Sequence, residues 1–201
     1  MMIEHKPVSP NSNALKLGSV VLAGIILLAA LSRLLPHPPN FSPVQAMALF
    51  GGAWFAQRQL ALLLPLLAML VSDVLLGLIH GGIYFDYFAS AGFWLVYVAM
   101  AACTVLGFAL RGRANAPRVL GYALGSSLLF FVITNFGAWL ADIASATPLY
   151  APTLNGLLAA YVAGIPFLQN TIAGALAFSA LLFGGFALLR RRIPALRTQT
   201  A

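Results

Sequence analysis

Long apolar runs, separated by short polar or proline-rich breaks, make up most of the sequence after residue 14. A helix needs roughly 20 residues to cross the hydrocarbon core of a bilayer. Six runs approach or exceed that length and predict six transmembrane helices, at residues 15–35, 43–57, 60–79, 85–110, 119–141 and 167–189. The second run is short and opens with Pro43, which suits the first position of a helix.

A mixed segment separates the fifth and sixth runs. Residues 153–164 have a helical pattern but are too few to cross a bilayer, which predicts a short interfacial or re-entrant helix before the last span. Tyr161 and Asn170 flank Gly164 and Pro166, a combination typical of the broken helices in transporters. The first run follows basic residues as a signal peptide would, but Arg33 stands where cleavage would fall, so we interpret it as a retained helix.

Composition excludes a soluble protein of this size. Hydrophobic residues make up 61% of the 201 positions, charged residues only 7%, and the mean hydropathy is +0.93. Soluble proteins carry about 25% charged residues, so lipid must be the solvent for most of this chain. A net charge of +7 would indicate nucleic acid in a soluble protein, but here the basic residues lie in short loops and no nucleic-acid partner is expected. The single cysteine, Cys103, excludes an internal disulfide and a multi-cysteine metal site.

The distribution of charge predicts the orientation. With six spans and a cytoplasmic N-terminus, ten of the eleven basic residues fall on the inner side and only Arg33 lies outside. Asp73, Asp86 and Asp142 fall at the outer ends. This agrees with the positive-inside rule. We therefore expect an all-α membrane domain at residues 15–190 with both termini cytoplasmic, flanked by a tail at residues 1–14 and a basic tail at residues 191–201.

The first outer loop, LLPHPPNFSPVQ, is the most informative segment. Four prolines within eight residues stiffen it. It is either a stiff connector with Ser42 as a helix cap, or it presents His37, Asn40 and Phe41 to a ligand. We expect a ligand-facing role for at least one of its polar residues.

Asp73 and His80 are two further polar residues in the predicted outer half of the protein. Asp73 is a carboxylate at membrane depth, where it must pair with a cation or with hydrogen-bond donors. Pairing with Arg33 is the favoured interpretation, and direct ligand contact is the alternative. His80 precedes two glycines and is either an exposed loop residue or a ligand to a metal carried by the substrate.

The fifth span and its neighbours supply the remaining candidates. Asn135 either binds another helix or a ligand, and Trp139 lies one turn later on the same face or belongs to an interfacial aromatic belt. With Tyr84, Tyr87, Tyr161 and Asn170 these residues complete the predicted pocket at the outer face.

Small residues on the first helix form pairs spaced by four positions. Ala14 and Gly18, then Ser19 and Ala23, would let another helix approach closely. The stripe serves either packing within the bundle or the docking of a partner protein.

Three stretches resemble DUF6580, a family of small bacterial membrane proteins. They are RLLPHPPNFSPVQAMALFGG at residues 33–52, ITNFGAWL at 133–140 and AAYVAGIPFLQNTIAG at 159–174, and the likeness runs from residue 33 to 184. The family is in turn similar in layout to the S components of energy-coupling-factor vitamin transporters. That resemblance implies an S-component-like six-helix bundle in the bacterial cytoplasmic membrane, a ligand bound near the outer face, and small residues on the first helix that dock an energy-coupling subunit with its ATPases.

Among S components, the cobalamin-specific kind is closest in size. Its members place a cobalt-ligating cysteine after the third helix, where this chain has His80. The resemblance therefore implies cobalamin or a related corrinoid as the bound substrate, with His80 as a ligand of its cobalt. No cofactor of the protein's own is expected.

The leading hypothesis is thus a subunit for uptake of a vitamin or cofactor, with the aromatic residues Phe41, Tyr84, Tyr87, Trp139 and Tyr161 enclosing a flat ligand. The chain has no Walker loop, so any ATP hydrolysis belongs to a partner. A membrane enzyme acting on a bound cofactor, a haem carrier using His37 and His80, and a non-catalytic assembly subunit are the alternatives.

Overall fold

The computed structural model describes residues 12–196, and within them every regular element is a helix. The α-helices are α1 (Ser12–Leu31), α2 (Val44–Trp54), α3 (Arg58–His80), α4 (Gly82–Phe88), α5 (Ala91–Gly107), α6 (Ala116–Ile143) and α7 (Leu154–Arg192). Single 3-10 turns at Ser32–Leu34, Phe108–Leu110 and Pro194–Leu196 follow α1, α5 and α7. Most of both predicted tails, residues 1–11 and 197–201, lies outside the described residues.

Five helices are long and apolar enough to cross a membrane. With their flanking turns they cover Leu17–Leu34, Arg58–His80, Ala91–Leu110, Ala116–Ile143 and Leu154–Arg192. Their faces remain rich in exposed leucine, valine and isoleucine, as expected for helices that contact lipid. The described chain is therefore an all-helical protein that fits a multi-pass membrane protein.

The predicted short helix before the last span is wrong. Residues 153–164 and the sixth run form one continuous helix, α7, of 39 residues, which passes through Pro166 without a break. Proline removes only one backbone donor, and in lipid a break would expose several more unpaired backbone groups, so the helix continues. Thr153 begins it, because its hydroxyl accepts a hydrogen bond from the Gly156 amide at 3.2 Å.

The predicted fourth span, residues 85–110, is wrong at its start. The chain bends at Ala89 and Ser90, which separates the short α4 from α5. Ser90 begins α5 by accepting a hydrogen bond from the Phe93 amide at 3.1 Å. A serine in an apolar run was the signal for this break.

The helix α2 lies at the centre of the bundle and is shorter than the predicted 43–57 span. All its residues from Val44 to Ala53 are buried. Its aromatic side chains pack on α7, where the Phe50 ring lies 5.3 Å from that of Phe183 and the Trp54 ring lies 4.9 Å from that of Phe186. Eleven residues extend only about 17 Å, so α2 fills half the height of the bundle.

Close backbone contact holds α2 against α5. A Cβ at Gly107 would lie 2.6 Å from the carbonyl oxygen of Leu49, and a Cβ at Gly52 would collide with the carbonyl oxygen of Thr104. Arg111 then caps the end of α2, since its Nε donates to Gly52 O at 2.9 Å and a terminal nitrogen donates to Phe55 O at 2.8 Å. These contacts fix α2 towards the end of the bundle where α5 and α7 end and α3 and α6 begin, which we call the basic end.

The small-residue stripe on α1 is partly used inside the bundle. Gly18 is buried, while Ser19 and Ala23 are half-buried, and the side chain of Ala14 lies outside the described part. Gly18 therefore offers no surface to another protein, and only Ser19 and Ala23 keep some exposure.

Candidate functional site

A cavity of about 810 Å³ occupies the half of the bundle that α2 does not reach. Its floor is the start of α2 and the loop before it, and its walls are α3, α5, α6 and α7, with α4 at the mouth. The loop reaches the middle of α7, where Asn170 Nδ2 donates to Pro39 O at 2.9 Å and Ser42 lies against Gly174. We call the open side the cavity end, which lies opposite the basic end. Small-molecule sites are commonly about 300–1,000 Å³, so the cavity is of ligand size.

An ion pair stands in the cavity wall. An Arg33 guanidinium nitrogen lies 2.7 Å from Asp73 Oδ1, which confirms the predicted pair, and Arg33 also donates to the Ser72 hydroxyl. Asp73 is 1% exposed and accepts two further hydrogen bonds, from the Tyr84 hydroxyl at 3.0 Å and the Tyr97 hydroxyl at 2.6 Å. The carboxylate is thus satisfied by three donors and its charge is balanced by one arginine.

Tyr84 remains protonated under physiological conditions. Burial, and then the neighbouring Asp73 carboxylate, raise the pKa of Tyr84 to about 12. Burial also raises the pKa of Tyr87. Both phenols therefore keep their protons over the range in which the protein works, and Tyr84 remains a donor to Asp73.

Several polar side chains of the wall donate their hydrogen bonds to backbone carbonyls of their own helices. The Thr134 hydroxyl donates to Phe130 O at 2.8 Å, the Thr171 hydroxyl donates to Phe167 O at 3.1 Å, and Asn135 Nδ2 donates to Phe131 O at 2.9 Å. Each keeps an oxygen with free lone pairs. These residues can therefore accept hydrogen bonds from a ligand more readily than donate them.

Gln45 extends this pattern to the cavity floor. It is 2% exposed, and its Oε1 has no hydrogen-bond partner among the described residues. A buried acceptor without a donor costs about 1–3 kcal/mol, so this position favours a donor from outside the chain.

Two histidines stand at the mouth of the cavity. His80 Nδ1 lies 3.0 Å from Leu76 O, and His37 Nδ1 lies 3.0 Å from Pro38 O. A carbonyl partner requires Nδ1 to donate, so in the neutral imidazole the lone pair is on Nε2. Among the described residues no group of three or more histidine, cysteine, aspartate or glutamate side chains is placed to hold a metal ion. A metal here would need ligands of its own, as a metal-containing substrate has.

The structure brings seven of the eleven predicted ligand-binding residues to the cavity lining: His37, Asn40, Asp73, His80, Tyr84, Tyr87 and Asn135. The other four lie outside it. Trp139 Nε1 donates to Ala151 O at 3.2 Å, the Tyr161 hydroxyl donates to Val132 O at 2.8 Å, and Phe41 packs 5.8 Å from the Phe178 ring. Asn170 binds the proline loop as described above. These four residues hold the walls and the loop in place.

Sequence reasoning missed Gln45, Thr134 and Thr171 as lining residues. Thr134 directly precedes the predicted Asn135, and Thr171 directly follows the predicted Asn170. Polarity within an apolar helix was the available signal at all three positions. Which of two adjacent residues faces the cavity depends on how the helix is rotated about its axis. That rotation is set by packing, which the sequence does not show.

Comparison with known proteins gives one match. The model of a family described as "Family of unknown function (DUF6580)" matches residues 13–196. No curated protein and no solved structure matches the chain.

Proposed function

Since the chain belongs to DUF6580, a family of unknown function, we propose from its site that it is a ligand-binding membrane subunit for the uptake of a vitamin or cofactor. The observation that carries the proposal is the cavity of about 810 Å³, open at one end and closed by α2 at the other. Such a cavity receives a ligand from one side of the membrane and does not form a continuous channel. This arrangement suits a protein that captures a molecule before its passage.

The proposed topology has six passes with both termini cytoplasmic. Five passes are the long helices, and the sixth combines the proline loop with α2, because this loop descends to the middle of α7 before α2 begins. The basic end carries Arg58, Arg111, Arg113, Arg118 and Arg190–Arg192. Since the cytoplasmic side of a membrane protein is enriched in basic residues, the cavity opens outward.

Cysteine labelling tests this topology. Ala146, between α6 and α7, and Ala56, between α2 and α3, are both exposed. In a Cys103→Ala background, a membrane-impermeant maleimide should label Ala146→Cys in intact cells and Ala56→Cys only after permeabilisation. The reverse pattern, or equal labelling of both variants in intact cells, would overturn the orientation.

The site favours a ligand that is neutral or cationic and rich in hydrogen-bond donors. Arg33 and Asp73 balance each other, Gln45 Oε1 has no donor among the described residues, and the Thr134 hydroxyl keeps its capacity to accept. The cavity of about 810 Å³ has room for a vitamin-sized molecule or for one part of a larger one. A ligand held mainly through a carboxylate or phosphate group would find few free donors here.

A corrinoid is the first ligand to test. Its amide side chains supply donors, and its cobalt takes a neutral imidazole as an axial ligand. His80 suits that role because its Nδ1 is engaged with Leu76 O and its Nε2 is left as the acceptor. Energy for uptake would come from an energy-coupling subunit with ATPases, and Ser19 and Ala23 on α1 are the proposed contacts for it.

A thermal-shift screen of the purified protein against vitamins tests the function. A specific ligand at a hundredfold excess over its dissociation constant should stabilise the protein by about 2.7 kcal/mol. We expect cobalamin or cobinamide to do so, and we expect His80→Ala to weaken that shift. His37→Ala is the matched control, because His37 also lines the mouth. Equal loss in both variants would remove the specific role of His80, and no shift with any vitamin would overturn the uptake function.

A further inference from the structure

A second, smaller cavity lies on the outside of the bundle, between α1 and α7. It measures about 390 Å³, and we call it the α1–α7 groove. Ile25 contributes from α1, and Leu182, Gly185 and Leu189 are among the residues that contribute from α7. Its lining is apolar except at one end, where Arg192 stands.

A glycine lies in the lining of the groove. A Cβ added at Gly185 would meet no atom within 4 Å, so the space in front of this glycine is not filled by the protein. Empty apolar space next to lipid-facing helices is filled by whatever apolar molecule the surroundings provide. In a membrane that molecule is an acyl chain.

The length of the groove matches one leaflet of a bilayer. On α7 the lining runs from Leu181 to Arg192, which is twelve residues, and the eleven steps between them extend about 17 Å along the helix axis. Half of the hydrocarbon core of a bilayer is about 15 Å. An acyl chain in the groove would thus end near the middle of the membrane, with its headgroup at the level of Arg192.

The positive charge around Arg192 favours an anionic lipid headgroup. Arg192 is exposed and belongs to the basic end, whereas Asp73, Asp86 and Asp142 lie within α3, α4 and α6 towards the cavity end. Basic pockets between helices at the cytoplasmic surface bind anionic lipid headgroups. A zwitterionic headgroup would present its positive group to the same arginine-rich surface.

We infer that the α1–α7 groove binds one anionic phospholipid, with an acyl chain along Gly185 and its phosphate at Arg192. The inference concerns the opposite end of the molecule from the candidate functional site and does not depend on the proposed function. It assigns α7 two ligand-facing regions, one along the cavity and one along the groove.

Native mass spectrometry of the detergent-purified full-length protein tests the inference. The protein is incubated with phosphatidylglycerol or with phosphatidylcholine of the same chain length. One favourable arginine contact predicts about fivefold more retained phosphatidylglycerol than phosphatidylcholine. Arg192→Gln should remove this preference and leave phosphatidylcholine binding unchanged.

Two glycine variants separate the groove from general effects on folding. Gly185→Leu fills the groove and should abolish the retained lipid. Gly184→Leu adds the same side chain at the next position, which also meets no atom within 4 Å but does not line the groove, and it should retain lipid like the wild type. Size-exclusion chromatography confirms that both variants are folded.

Three results would overturn the inference. Equal retention of the two lipids would remove the headgroup selection, and retention of phosphatidylglycerol by Gly185→Leu would show that the lipid binds elsewhere. A wild-type dimer that Gly185→Leu converts to a monomer would show that a second copy of the chain covers the groove instead.

Discussion

Replacing Asp73 with alanine is expected to lower the free energy of unfolding by about 3–5 kcal/mol, because it leaves the Arg33 guanidinium without its counter-charge inside the bundle. The Arg33 side chain is 12% exposed, so water replaces little of the lost interaction. The hydroxyls of Tyr84 and Tyr97 also lose their acceptor. Thermal or denaturant unfolding of the protein in detergent measures the effect.

Two controls show whether the ion pair is the cause. Asp86→Ala removes an exposed carboxylate from α4 and should change the stability by less than about 0.5 kcal/mol. Combining Asp73→Ala with Arg33→Met removes both charges and should recover part of the loss, since no unpaired charge remains. If the double variant is as unstable as the sum of the two single variants, the two charges act independently and the explanation is wrong.

Substituting Gly107 with alanine is expected to destabilise the protein by about 3 kcal/mol, the upper end of the usual range for overpacking. The new methyl group would lie 2.6 Å from Leu49 O and 3.0 Å from Leu49 Cα, which are backbone atoms and cannot rotate away. The helices α2 and α5 would have to separate, and overpacking of this kind costs about 1–3 kcal/mol or more. This loss of stability is the opposite of the usual result, because alanine in place of glycine usually stabilises a helix by about 1 kcal/mol.

Gly121 provides the matched comparison. It lies on α6, and a Cβ added there would meet no atom within 4 Å. Gly121→Ala should therefore be neutral or slightly stabilising when measured by the same unfolding experiment. Equal effects of the two substitutions would mean that the contact between α2 and α5 is not tight.

Much of the fold was predictable because apolar length alone identifies a helix in lipid. The runs at residues 15–35, 60–79 and 119–141 correspond closely to α1, α3 and α6, and the division of charge between the two ends is visible in the sequence. The pair between Arg33 and Asp73 was predictable by elimination, since Arg33 is the one basic residue that the charge distribution places on the outer side.

The errors arose where one residue decides between two local structures. Pro166 and Gly164 permit either a break or a continuous helix, and the bundle selects the continuous helix α7. Ser90 within an apolar run permits either a span or a cap, and here it caps α5. At both positions the energy difference depends on tertiary neighbours, which a single sequence does not identify.

The sequence predicted the polar character of the cavity lining better than it predicted which residues form that lining. Seven predicted residues face it, because polar side chains at membrane depth gather where they find partners. Trp139 and Tyr161 instead donate to loop and helix carbonyls. Polarity indicated which side of the bundle carries the cavity, whereas side-chain geometry decides whether a residue lines the cavity or holds its walls in place.

The shortness of α2 also determines how the protein enters the membrane. Long apolar helices insert independently and associate afterwards, but eleven residues that include Gln45 and two glycines are too short and too polar at one end to remain in lipid alone. Partners for α2 come from α5, which Gly107 and Arg111 bring against it, and from α7, which follows α2 by about a hundred residues in the chain. The contacts that bury α2 are therefore complete only once α7 has been made, and the cavity above α2 cannot form before α7 is in place.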